Sequence, residues 1–74
     1  MEPLSEALQL LQRQLALEEA MHSRGGIRVI DERELYRLRE RLTKFPTAVS
    51  TILAASKRLN RRVETLSVHD VSDA

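Results

Sequence analysis

Arg33, Arg37 and Arg41 recur at every fourth residue, and Lys44 follows three places on. Lys57 with Arg61, and Arg58 with Arg62, repeat that spacing in two adjacent rows. On a helix, residues four apart lie one above the other on the same face. A guanidinium presents five donors in a rigid fork that matches the paired oxygens of a carboxylate or a phosphate. The chemistry within reach is therefore anion binding. Arg28, Arg33, Arg37, Arg41, Lys44, Lys57, Arg58, Arg61 and Arg62 make up a candidate basic surface for an acidic protein surface or for duplex DNA. The competing reading is a solvated helical face, balanced by Glu34–Arg37 and Glu40–Lys44 pairs along the helix.

The charge along the chain points the same way. The net charge is only +1, but it is segregated. Residues 1–22 hold one basic side chain against four acidic ones, residues 23–62 hold eleven against four, and residues 63–74 hold none against three. A basic middle between acidic ends calls for an anionic partner, or for self-association in which ends and middle neutralise each other.

Catalytic chemistry finds little support. There is no cysteine nucleophile, and neither histidine belongs to a triad pattern. Glu18 and His22 share a helical face at i, i+4, but two ligands do not make a metal site. Gly25-Gly26 lacks the further glycines and the lysine of a phosphate-binding loop. The chain is read as non-enzymatic, with no cofactor and no metal.

Seventy-four residues, without cysteine and with one Tyr and one Phe as the only aromatics, must build a core from Leu, Ile, Val and Ala. One small core of this size rarely supplies more than roughly 3–5 kcal/mol without a staple, and self-assembly is the remaining one. No apolar run approaches the length needed to span a bilayer, and no export signal is visible. The expectation is a cytoplasmic protein with no membrane and no small-molecule substrate among its partners.

The elements that must position the arginines follow from apolar spacing and breakers. Leu4, Leu8, Leu11 and Leu15 form a stripe over 3–22, and Leu10, Leu17 and Met21 widen it. So broad an arc asks for two packing partners, and Leu4, Leu8, Leu11, Leu15 and Leu17 are the expected oligomer or partner interface. Gly25-Gly26 ends this helix. Ile27, Arg28, Val29 and Ile30 read as a short extended segment. Asp31 caps a second helix whose inner face is Leu35, Leu38 and Leu42. Pro46 stops it at or before Phe45 and suits the first turn of a third helix, with Val49, Ile52 and Leu59 inward. The expected fold is all-α, a single domain over 1–74. It has three helices at about 3–22, 31–45 and 47–60, an extended segment near 27–30 and a frayed tail over 67–74, and it assembles as a helical homodimer or higher oligomer.

A short strand with an outward Arg28, then two helices joined by a tight turn, is similar in element order to the ribbon-helix-helix DNA-binding proteins, over residues 26–60. That resemblance implies a dimeric duplex-DNA-binding transcriptional regulator whose paired strands present Arg28 and Ile30 to the major groove. The primary expectation is different. It is a small regulatory or adaptor protein that acts by protein–protein contact, through the amphipathic first helix and the Arg-rich surface.

Overall fold

The computed structural model describes residues 3–25 and 29–72. They form four helices, α1 (Leu4–Arg24), α2 (Val29–Leu42), α3 (Pro46–Leu59) and α4 (Val68–Ser72), with a 3-10 turn at Val63–Thr65 between the last two. There is no strand among the described residues.

Each helix boundary has a local cause. Pro3 sits at the N-terminal edge of α1, and its carbonyl accepts the Ala7 N–H at 3.1 Å. Gly25 closes α1 in the left-handed conformation, φ 68°, where a side chain would be strained. Its N–H reaches back to the His22 carbonyl at 3.2 Å. The helix thus runs two residues past the expected end at 22.

The extended segment near 27–30 is corrected in its second half. Val29 and Ile30 are the first residues of α2, and Ile27 and Arg28 lie outside the described residues. A four-residue strand has no neighbour here to satisfy its backbone, whereas a helix bonds its own. The cost of two β-branched residues in a helix is only about 0.7 kcal/mol each at most.

The break at Pro46 is present, but α2 stops at Leu42 rather than at 45. The Lys44 N–H turns back to Arg41 and the Phe45 N–H to Leu42, at 3.1 and 3.0 Å. Those three-residue bonds tighten the end of the helix. Phe45, constrained by the proline after it, sits at φ −127°, ψ 52°, outside the helical region. Pro46 then opens α3. At the far end of α3, Asn60 is left-handed, with φ 54°. Its N–H bonds to Lys57 and the Arg61 N–H bonds to Ser56, a Schellman closure with asparagine in the place glycine usually takes.

The core is apolar throughout. Ala7, Leu8, Leu10 and Leu11 of α1 pack with Leu38 and Leu42 of α2 and with Ala48, Ile52 and Ala55 of α3. Val63, Leu66 and Val71 close the same cluster from the C-terminal end. Leu8 and Leu11 are buried within the chain, and Leu4, Leu15 and Leu17 pack half-buried against the same core. Within the chain α1 packs against α2, α3, the 3-10 turn and α4. Leu59, expected inward, is 39% exposed.

The C-terminal segment is not frayed over 67–72. Val71 is 1% exposed, and α4 is held by a reciprocal cap. The Ser67 N–H donates to Asp70 Oδ2 at 2.9 Å and the Asp70 N–H donates to Ser67 Oγ at 3.1 Å. Gln12 anchors the 3-10 turn from α1. Its Nε2 donates to the carbonyls of Val63 and Leu66, at 3.1 and 2.9 Å.

Candidate functional site

The Cα envelope measures 38 × 25 × 14 Å. A helix's Cα cylinder is about 4.6 Å across and packed axes lie about 8–10 Å apart, so the thin dimension holds two helix layers, and α2 packs inward on α1 and keeps an outward face. Leu38 and Leu42 point in. Arg33 precedes Leu42 by nine residues, about 180° around the helix, and so points out. Arg33, Arg37 and Arg41 are all exposed, as the spacing predicts. The same face carries apolar side chains that the spacing argument overlooked. Ile30 is 72% exposed, and Val29 and Tyr36 are each 66% exposed. The signal that could have found them was available: each lies three or four residues from Arg33.

The ion pairs differ from the expected ones. Glu34 does not pair along its own helix with Arg37. It crosses to α1, where Arg13 Nη2 lies 2.7 Å from its Oε1 and Arg13 Nε donates to the same oxygen at 2.9 Å. Two turns away, Arg41 meets Glu6 across the same helix pair at 3.5 Å. Glu40 and Lys44 form no ion pair within the described residues, and Lys44 lies in the turn beyond the end of α2. An open groove of about 680 Å³ runs between α1 and α2, with Leu10 and Leu38 at its base and Ile30, Arg33, Arg37 and Arg41 among its walls. Arg33 and Arg37 have no carboxylate within ion-pair distance among the described residues.

The remaining basic residues do not join this face. Arg28 lies outside the described residues. Arg61 Nη1 binds Asp70 Oδ2 at 3.4 Å, and Arg58 Nη2 donates to the Asp70 carbonyl at 3.4 Å. Arg62 reaches Glu64 at 2.6 Å and Glu19 at 3.7 Å. These arginines tie α3 to the 3-10 turn, to α4 and to α1. Lys57 is exposed on the last turn of α3. Arg58, Arg61 and Arg62 are an engaged set, bonded to the C-terminal elements and to Glu19, whereas Arg33 and Arg37 on α2 have no ion-pair partner among the described residues.

Asp70 is the hub of the engaged set. The Ser67 backbone N–H above all, opposed by desolvation and then helped by the Ser67 hydroxyl and the Arg61 guanidinium, holds its carboxyl below the usual aspartate value. Elsewhere, Glu18 accepts a hydrogen bond from Gln14 Nε2 at 3.0 Å. No cluster of three or more metal-ligating side chains occurs among the described residues. No described polar or charged side chain is buried. No helix of the described residues is long and apolar enough to cross a membrane.

Compared with known protein families, with characterised proteins and with solved structures, the chain matches none.

Proposed function

We propose that this chain is a small cytoplasmic adaptor or regulatory protein, non-enzymatic, that binds an acidic protein surface through the outward face of α2. The observation that carries the reading is the company Arg33 and Arg37 keep. Two guanidiniums without a carboxylate in ion-pair distance among the described residues stand with Glu32 beside Val29, Ile30 and Tyr36, which are all mostly exposed. Arginine and tyrosine are the side chains enriched where proteins bind proteins, because each couples apolar contact area to directed hydrogen bonds. An apolar surface kept in water beside unsatisfied charges fits a partner that brings both carboxylates and apolar groups.

Self-association belongs to this reading on new grounds. Leu8 and Leu11 are buried in the chain's own core and Leu4, Leu15 and Leu17 partly so, and a second copy also has Val29, Ile30 and Tyr36, with Leu53 on α3, as apolar surface to bury. It competes with the acidic partner for α2.

The duplex-DNA alternative has the arginine spacing in its favour and two observations against it. Val29 and Ile30 are helical, which removes half of the strand that the ribbon-helix-helix order requires. Glu34 and Glu40 also line the groove, where a phosphate strand meets repulsion.

The deciding experiment compares the chain with Arg33→Glu/Arg37→Glu. A photocrosslinking residue at Tyr36 is expected to capture acidic partners with the parent protein and to lose them with the double variant, while thermal unfolding stays unchanged. Retention of every crosslinked partner by the double variant refutes the reading. A shift of random duplex DNA by the parent protein at low salt, falling steeply as salt rises, establishes the alternative instead.

A further inference from the structure

The α1–α2 groove has a register, and the register specifies what fits it. Glu6 and Arg13 are seven residues apart on α1, and Glu34 and Arg41 are seven apart on α2. Both bridges therefore belong to one antiparallel alignment of the two helices. In that alignment Leu10 is level with Arg37, and Leu17 is level with Ile30. Arg37 thus stands between the two bridges, facing a leucine where an acid would complete the ladder. Arg33 stands one turn along, beside exposed Ile30. The groove offers two open guanidiniums four residues apart, about 6 Å along the helix axis, above an apolar base of Leu10 and Leu38.

We propose that the occupant of this groove is an acidic amphipathic helix of the partner protein. Its carboxylates, four residues apart, take Arg33 and Arg37, and its apolar side chains rest on Ile30 and Leu10. The proposal rests on the acidic-partner reading above and narrows it. A helix fits better than an extended segment for a definite reason. The groove walls are side chains of two helices whose backbones are already bonded internally, so an added strand finds no backbone to pair with, whereas a helix satisfies its own. Carboxylates on a helix also match the four-residue period of the arginines directly. Glu34, which also lines the groove, is already paired with Arg13. Leu8, Leu10 and Leu11 packed with Leu38 and Leu42 in the core hold α1 against α2, so the site is preformed rather than assembled by the ligand.

The test uses the intact chain and a capped alanine-based peptide of about 16 residues, long enough to be helical in part by itself. It carries Glu at i and i+4 with Leu at i+3 and i+7. The control is an isomer of the same composition in which acids and leucines no longer share a face. Fluorescence anisotropy is expected to show the patterned peptide binding about tenfold more tightly than the isomer. Arg37→Glu and Ile30→Ser are each expected to remove most of that difference. Amide chemical shifts should move at Leu10 and Leu38 as well as on the outward face of α2. Equal binding of both peptides, abolished by Arg33→Glu/Arg37→Glu, overturns the helix in the groove and leaves an acidic partner standing. Patterned binding that Arg37→Glu does not weaken overturns the assignment to this groove. Failure of both peptides to bind at low salt overturns this proposal, while the photocrosslinking comparison decides the broader reading separately.

Discussion

Arg13 and Glu34, twenty-one residues apart in sequence, meet across α1 and α2 with Nη2 2.7 Å from Oε1, and Nε of the same guanidinium donates to that oxygen at 2.9 Å. The contact takes an acid away from the arginine stripe. Had Glu34 turned along its own helix toward Arg37, the stripe would be a balanced, solvated face. Arg13 is 68% exposed and Glu34 38%, so the bridge contributes little to stability. Arg13→Gln is expected to cost no more than about 1 kcal/mol in urea denaturation. A loss of several kcal/mol would mean that the bridge organises the helix pair rather than decorating it.

The leucines of α1 should behave as core. Ile52 is fully buried and Leu11 nearly so. Ile52→Ala is expected to lower stability by about 2–5 kcal/mol. Leu11→Asp, which puts an uncompensated charge in an apolar site, should leave the chain unfolded at every protein concentration. Circular dichroism across a hundredfold dilution series checks this. A Leu11→Asp protein that keeps its helix content and only dissociates would show that the stripe is an intermolecular interface after all.

Gln12 is a positioning residue for the C-terminal elements. Its amide serves the Leu66 carbonyl and the Val63 carbonyl, the latter also accepting the Leu66 N–H at 3.1 Å. Gln12→Leu keeps the bulk and leaves the Val63 and Leu66 carbonyls without that donor, at an expected cost of about 1–3 kcal/mol. Hydrogen exchange should quicken at Leu66 and Val71 before it does so in α1. Equal acceleration throughout the chain would show that the 3-10 turn has no separate anchor.

Stability should respond to acid through Asp70. Its carboxyl is held below the ordinary value in the folded chain, so the contribution of this group is fully present above about pH 4, the unfolded aspartate value. It is lost as pH falls through the lowered folded value. Ser67→Ala removes the hydroxyl and disturbs the reciprocal cap. Melting temperatures measured from pH 5 down to pH 2 should then fall less steeply for the variant than for the parent protein. Parallel curves would show that Asp70 does not set the acid limb.

Asn60 holds a left-handed conformation at φ 54°. Asn60→Ala is expected to destabilise by about 1–2 kcal/mol, because a β-carbon there crowds the following carbonyl. Asn60→Gly should be neutral or stabilising. If calorimetry finds alanine and glycine equivalent at this position, the Schellman closure is not holding the end of α3.

What the chain's sequence determined by itself was local. The all-helical composition, the break at Pro46, the asparagine end of α3 and the inward faces of α1 and α2 follow from spacing, φ restriction and capping, which act over a few residues. The arginine spacing likewise placed Arg33, Arg37 and Arg41 on one exposed face. The tertiary structure decided how that face is used. The segment over 67–72 read as a tail because its contacts to the rest of the chain are not legible in local spacing. Val71 and the Ser67–Asp70 cap place it against the core. Arg58, Arg61 and Arg62 read as part of a basic surface because their partners Asp70, Glu19 and Glu64 had no assigned position. Ile30 read as strand because β-branched residues prefer strands, until the lack of a pairing neighbour made a helix the lower-energy choice. In each case the deciding contact joins different elements. Such contacts depend on the register and orientation of whole helices, which side-chain spacing within one helix does not encode.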